Sequence, residues 1–322
     1  MAGVYVASVD LTGSQPFRLE RFDPLTLTLL DYIDARASPA LAAGNLWAQG
    51  TGGDLGKIYQ LDLDDVTNTL ATVNVGGPSS VSRLHGTNDR LYLTELLGAT
   101  SNDRTDRLDP DDGSVIWSVN GTVCGPNPSR VVDDGTYAYV VNAEFNARSV
   151  TKLNAADGSF VDDVQLNSEP SDLTLVGTDL YVLRSGGAMD RVNSTTMTVT
   201  TAGVATGQFG GIATDDVDVF LSRAVSVDQD AAARFDVGTQ SVLETATVSA
   251  GQANLNAFLD VDFYTTGYSG STGNVTRFSR GPLASEATTT LFGYPQAIAV
   301  LYPNPSTPGG SSISVGRARV WR

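Results

Sequence analysis

Residues Pro128-Ser129-Arg130-Val131-Val132 and Thr136-Tyr137-Ala138-Tyr139-Val140-Val141-Asn142 are two short β-rich runs separated by Asp133-Asp134-Gly135. Two more runs, Arg148–Asn154 and Ser159–Leu166, follow, with Ala156-Asp157-Gly158 between them. Asp-Gly beside a β-rich run signals a hairpin, because glycine takes a positive φ at no steric cost. Residues 128–166 therefore read as one four-stranded antiparallel meander.

Working outward, the unit recurs. An aromatic residue inside an apolar run appears as Tyr5, Trp47, Tyr92, Tyr139, Tyr181, Phe220 and Tyr264, at spacings of 42, 45, 47, 42, 39 and 44. A basic or amide residue, an apolar residue, then Asp, Asn or Ser appears in the third strand of each unit. Its copies begin at Arg21, Gln60, Arg107, Lys152, Arg191, Arg234 and Arg277. Two seven-membered series in phase, at a period of roughly 40–50 residues with four strands per unit, predict a β-propeller.

The units resemble the blades of YVTN/lactonase-like propellers, with a lesser similarity to quinoprotein-like blades. The best copy is Pro128-Ser129-Arg130-Val131, Tyr139-Val140-Val141-Asn142 and Leu153-Asn154, with Asp157-Gly158 at the turn. The opening proline returns as Pro39, Pro78, Pro170 and Pro295 and is missing from the units near Gly210 and Asn254. The run from Leu108 to Trp117 is the quinoprotein-like part. The resemblance covers about residues 1–302 and implies a fold that hosts binding, scaffold and enzymatic roles alike.

The expected fold is all-β, a seven-bladed propeller over residues 1–302, followed by a linker and strand-like tail over 303–322. The N-terminal unit has only three strands, near Val4–Val9, Phe17–Phe22 and Leu25–Ile33, and Pro295–Tyr302 supplies a first strand without a following blade. Pairing them closes the ring and removes two exposed edges. The segment Ser311–Arg322 is expected to lie outside a blade or to dock on a partner.

The formal charge is −16, and with two lysines, Lys57 and Lys152, nearly all the basic residues are arginine. That balance argues against nucleic acid, which needs clustered cations, and against anionic membranes. One cysteine, Cys124, excludes an intrachain disulfide, and no apolar stretch is long enough for a transmembrane helix. Met1-Ala2-Gly3 runs directly into Val4-Tyr5-Val6 without a basic or apolar leader. The expectation is a protein that acts inside the cell or leaves in a virus particle.

Catalytic residues are scarce. The single histidine, His85, is expected at a turn, in a structural or exposed role, and Cys124 as a small buried residue at the end of a fourth strand. Together they are too few for a His/Cys zinc site. The runs at Asp62–Asp65, Asp109–Gly113 and Asp215–Asp218 lack the EF-hand spacing and read as turn chemistry, so no metal or cofactor is expected. Residues i and i+2 on a strand share a face, so each Arg-x-Asp pair is expected to bridge within a blade or to the next, structurally.

Binding is expected on the loops between second and third strands, which open on one rim. Glu144, Phe145 and Asn146 in the fourth loop, with Arg184, Arg223 and Tyr268 where other loops start, form the candidate ligand rim. Three functions fit. The first is a non-catalytic binding or structural module, in particular a virion component such as a phage tail or receptor-binding protein. Its partners would be proteins of a larger assembly or a host surface glycan or protein. The ending Arg319-Val320-Trp321-Arg322 resembles tail proteins of actinobacterial phages. The others are a lactonase- or quinoprotein-like enzyme and a cell-surface adhesion propeller.

Overall fold

The computed structural model describes residues 3–9, 17–75, 81–87, 89–97, 102–144, 147–206, 209–223, 230–247, 252–258, 262–269, 272–292, 294–301 and 315–317. Their strands form seven antiparallel sheets. Blades 2 to 7 are each a four-stranded meander in chain order, and their inner strands are Arg36–Ala42, Val81–Gly86, Pro128–Asp133, Pro170–Val176, Phe209–Thr214 and Gln252–Phe258. Blade 1 takes its inner strand, Tyr294–Leu301, from the other end of the chain and pairs it with Gly3–Val9, with Ala299 opposite Tyr5. The predicted closure of the ring is what the structure shows. A short segment, Val315–Arg317, adds to the inner edge of Tyr294–Leu301 as a fifth strand and lies against the inner strands of blades 6 and 7.

Burial follows from stacking sheet on sheet. There are seven apolar clusters among the described residues, and each draws its side chains from two neighbouring blades, including blades 7 and 1. Strands covered on both faces tolerate continuous apolar runs, and the run from Ala138 to Val141 is buried throughout.

The two repeated motifs meet at the blade joints. All seven aromatic residues are at most 1% exposed. Tyr5 Oη donates to Leu63 O and Trp47 Nε1 to Pro110 O, both at 2.9 Å, and Tyr264 Oη donates to Pro24 O. Each acceptor belongs to the turn between the third and fourth strands of the next blade. The basic residues reach for those same turns: Arg21 Nη1 donates to Leu63 O at 3.0 Å, Arg107 Nη1 to Ala155 O at 2.8 Å and Lys152 Nζ to Ser194 O at 2.8 Å.

The expected structural bridges form within blades and, from Arg21 to Asp64, to the next blade, but the acidic or amide member of the motif does not take them. Asp23, Asp62, Asp109, Asn154, Asn193 and Asp236 accept backbone N–H bonds from residues two or three positions on, shaping the turn that the previous blade grips. The arginines pair across strands instead, Arg21 with Asp31, Arg191 with Asp179, Arg234 with Asp218 and Arg277 with Asp262. The reason lies in the ladder. In every blade the third–fourth strand register shifts between the basic or amide residue and the apolar residue after it. That β-bulge increases local twist and re-aims the side chains around it.

Candidate functional site

The inner strands lie side by side all the way round, so their polar residues converge on the central axis. Arg130 and Asp172 each stand two residues after an opening proline, in blades 4 and 5. At both places the pairing with the second strand skips a residue, Ser129 in one and Ser171 in the other. Arg130 Nε approaches Asp172 Oδ1 at 3.2 Å, and both side chains are more than nine-tenths buried. Asp172 also accepts from the backbone N–H of Leu173, and the N–H of Ile212 in blade 6 favours its charged form, so the electrostatic coupling passes from blade to blade around the axis. Burial pushes the Asp172 carboxyl up to about 6, against the pull of Arg130 and those N–H groups. The Arg130 guanidinium is held below its ordinary value by the same burial.

His85 corrects the expected turn position. It lies in the inner strand of blade 3, opposite Tyr92, because that strand pairs without a skipped residue through Gly86. Its Nε2 is 3.1 Å from Thr94 Oγ1, and the side chain is sealed. Burial, reinforced by Arg130 and Arg83, holds the imidazole well below its usual pKa, so it is neutral at physiological pH. Cys124 is buried as expected, in the short helix Gly121–Cys124 that follows the fourth strand, and burial pushes its thiol up to about 11.

The candidate rim residues that the structure describes lie at the ends of second strands. Arg184, Arg223 and Tyr268 hold equivalent register positions, opposite Pro170, Phe209 and Gln252 at the start of the inner strands of blades 5, 6 and 7. Glu144 closes the second strand of blade 4, half-buried and paired with Ala147. Phe145 and Asn146 lie outside the described residues, as do the side chains of Arg223 and Tyr268. The Arg184 side chain is turned into the blade, with Nε 3.1 Å from the buried Asp190 and Nη1 3.4 Å from Ser168 Oγ.

On the same rim Asp103 accepts from Leu97 N and from Asn127 N at 2.9 Å, tying blade 3 to blade 4. Beside it Arg104 is shared by the buried Glu95 and Asp106. Asn142, fully buried, donates to Ser149 Oγ and Thr151 Oγ1. None of these stands out in the sequence. A signal existed for one pair, since residues at the same repeat position in successive blades, Arg130 and Asp172, carry opposite charges.

Chemically, the arrangement supplies locked, desolvated polar groups. Among the described residues no cluster of His, Cys, Asp or Glu is placed to hold a metal ion, and no helix is long and apolar enough to cross a membrane.

Fold and site together define a seven-bladed β-propeller. No family model and no curated protein matches the sequence. Among solved structures, BamB from Moraxella catarrhalis is similar over 96% of this chain and 95% of its own, at 12% identity and a TM-score of 0.52. The dihydro-heme d1 dehydrogenase NirN, solved in complex with DHE, is similar over 93% of this chain and 68% of its own, at 12% identity and a TM-score of 0.57. The likeness is one of fold, which does not carry an activity with it.

Proposed function

We propose that this propeller is a non-catalytic binding and structural module that works with protein partners inside a larger assembly. One observation carries the reading. The only histidine and the only cysteine, the groups best suited to proton transfer and nucleophilic attack near neutral pH, are both sealed in blade interfaces, at 2% and 0% exposure. Burial makes the imidazole a poor base and the thiol a poor nucleophile.

The finer reading is a virion component, a tail or receptor-binding protein. It rests on the resemblance of Arg319-Val320-Trp321-Arg322 to phage tail proteins. Mass spectrometry of purified particles from the source tests it: stoichiometric peptides support the virion role, and their absence overturns it. Metal- or quinone-dependent turnover by the purified protein would overturn the non-catalytic reading itself.

A further inference from the structure

The third–fourth strand bulge leaves one outer-strand residue without a partner in each blade. These are Leu30, Leu70, Ile116, Val161, Thr200, Leu243 and Glu286, which occupy the skipped register positions. Five are large and apolar, and those five are 43–56% exposed. In blades 1, 3, 4 and 6 the preceding residue (Leu29, Val115, Phe160 or Val242) is apolar and 44–53% exposed as well. Scattered exposed apolar residues are ordinary. Recurrence at one register position in four successive blades is not scatter.

Charge marks out the same arc. The turn and outer strand of blades 1 to 4, residues 23–34, 62–74, 109–120 and 154–165, each contain three aspartates and no lysine or arginine. In blade 1, Arg18 and Arg21 neutralise Asp34 and Asp31. Asp64, Asp65, Asp111, Asp112, Asp157, Asp162 and Asp163, on blades 2 to 4, are exposed. The corresponding segment of blade 5, residues 193–206, has no acidic residue at all, and that of blade 7, residues 279–290, balances its one acid, Glu286, with Arg280. That of blade 6, residues 236–247, holds two acids, Asp236 and Glu244, but Glu244 lies 3.9 Å from Arg234 and accepts from Leu283 N of blade 7.

We infer that the outer edge of blades 1 to 4 is a docking surface for a partner protein whose apolar side chains are framed by lysine or arginine. The inference rests on the proposed role within an assembly. Apolar anchors with a charged frame are how such interfaces combine affinity with orientation. The bulge interrupts the outer ladder, so contact is made through side chains and not by adding a strand to the edge. A second copy of this chain would bring aspartate against aspartate, which disfavours self-pairing.

The probe is a fluorescein-labelled amphipathic peptide of leucine and lysine, followed by anisotropy against the intact protein. Leu30→Ser/Leu70→Ser/Ile116→Thr/Val161→Thr and, separately, Asp162→Asn/Asp163→Asn should each weaken binding by about tenfold or more. Leu243→Ser in blade 6 should leave it unchanged. Equal binding by the four-site variant would overturn the inference. So would sedimentation showing wild-type self-association that this variant abolishes, since the occupant would then be a second copy. Urea unfolding of each variant confirms that the fold is intact. If the wild type enters no assembly in the source, the proposed function fails while the peptide result still decides the surface. If the wild type and the four-site variant co-purify equally with an assembly, the role stands and the surface falls.

Discussion

Replacing Arg130 with methionine leaves Asp172 in the interior without its counter-charge. Removing one partner of a buried ion pair costs about 3–5 kcal/mol, and the structure adds a pH signature. In the wild type the carboxyl is raised to about 6 from a reference of 3.8. The folded state therefore holds the extra proton, and this group's contribution is most favourable below the lower value. It falls as pH rises through the upper one, by roughly 3 kcal/mol at 1.36 kcal/mol per unit. Moving from about pH 7.5 to about pH 5 relieves on the order of 1 kcal/mol in the wild type. In Arg130→Met the carboxyl rises further, so the same change relieves more. The deficit of the variant should thus shrink in acid, and urea unfolding at the two pH values measures it. Arg130→Met/Asp172→Leu should recover most of the loss at both, because apolar replacement of a whole buried pair is neutral or stabilising. A deficit that does not change with pH, or a double variant as unstable as the single, would refute the reasoning.

Gly158 sits at φ 74°, and a Cβ added there would lie 2.8 Å from the Trp117 ring, so Gly158→Ala should destabilise by more than about 1 kcal/mol, read as a lower Tm. Tyr92→Phe removes the 2.6 Å bond to Asp133 Oδ2 and should cost about 1–2 kcal/mol in denaturant unfolding. Alkylation of Cys124 at mildly alkaline pH should proceed at the rate of unfolding, because the thiol is sealed and raised; fast labelling of native protein would contradict its burial. Deleting residues 294–322 removes the inner strand of blade 1 and should abolish cooperative unfolding, with an unchanged urea midpoint as the contrary result.

The ring was legible because its signals are local and repeated. An aromatic in each second strand and a basic or amide residue in each third strand announce the period, and the orphan first strand announces the closure. What those residues do was not legible. Arg21 and Asp23 look like a pair on one strand face, yet a skipped residue separates their roles, and no residue type in the sequence marks the skip. The rim residues Arg184, Arg223 and Tyr268 were legible as positions, since register follows the repeat. That Arg184 turns inward to Asp190 depends on burial that the sequence of one strand does not show. His85 was misplaced for a related reason. Blade 3 lacks the inner-strand irregularity of its neighbours, and its hairpin closes later, where Thr87 N donates to Arg90 O.

The strand Gly3–Val9 is synthesised nearly the whole chain ahead of its inner neighbour, Tyr294–Leu301. At 5–20 residues per second, the interval is roughly 15–60 seconds. Throughout it, six blades can assemble while the first keeps one hydrogen-bonding edge unfilled. A nascent ring of this design is a template awaiting one specific strand, and in a crowded polysome the strand that arrives first can come from a neighbouring copy. Exchange of that single strand between two chains is the misassembly to look for when the protein is produced at high concentration, and it would leave every blade with its native complement.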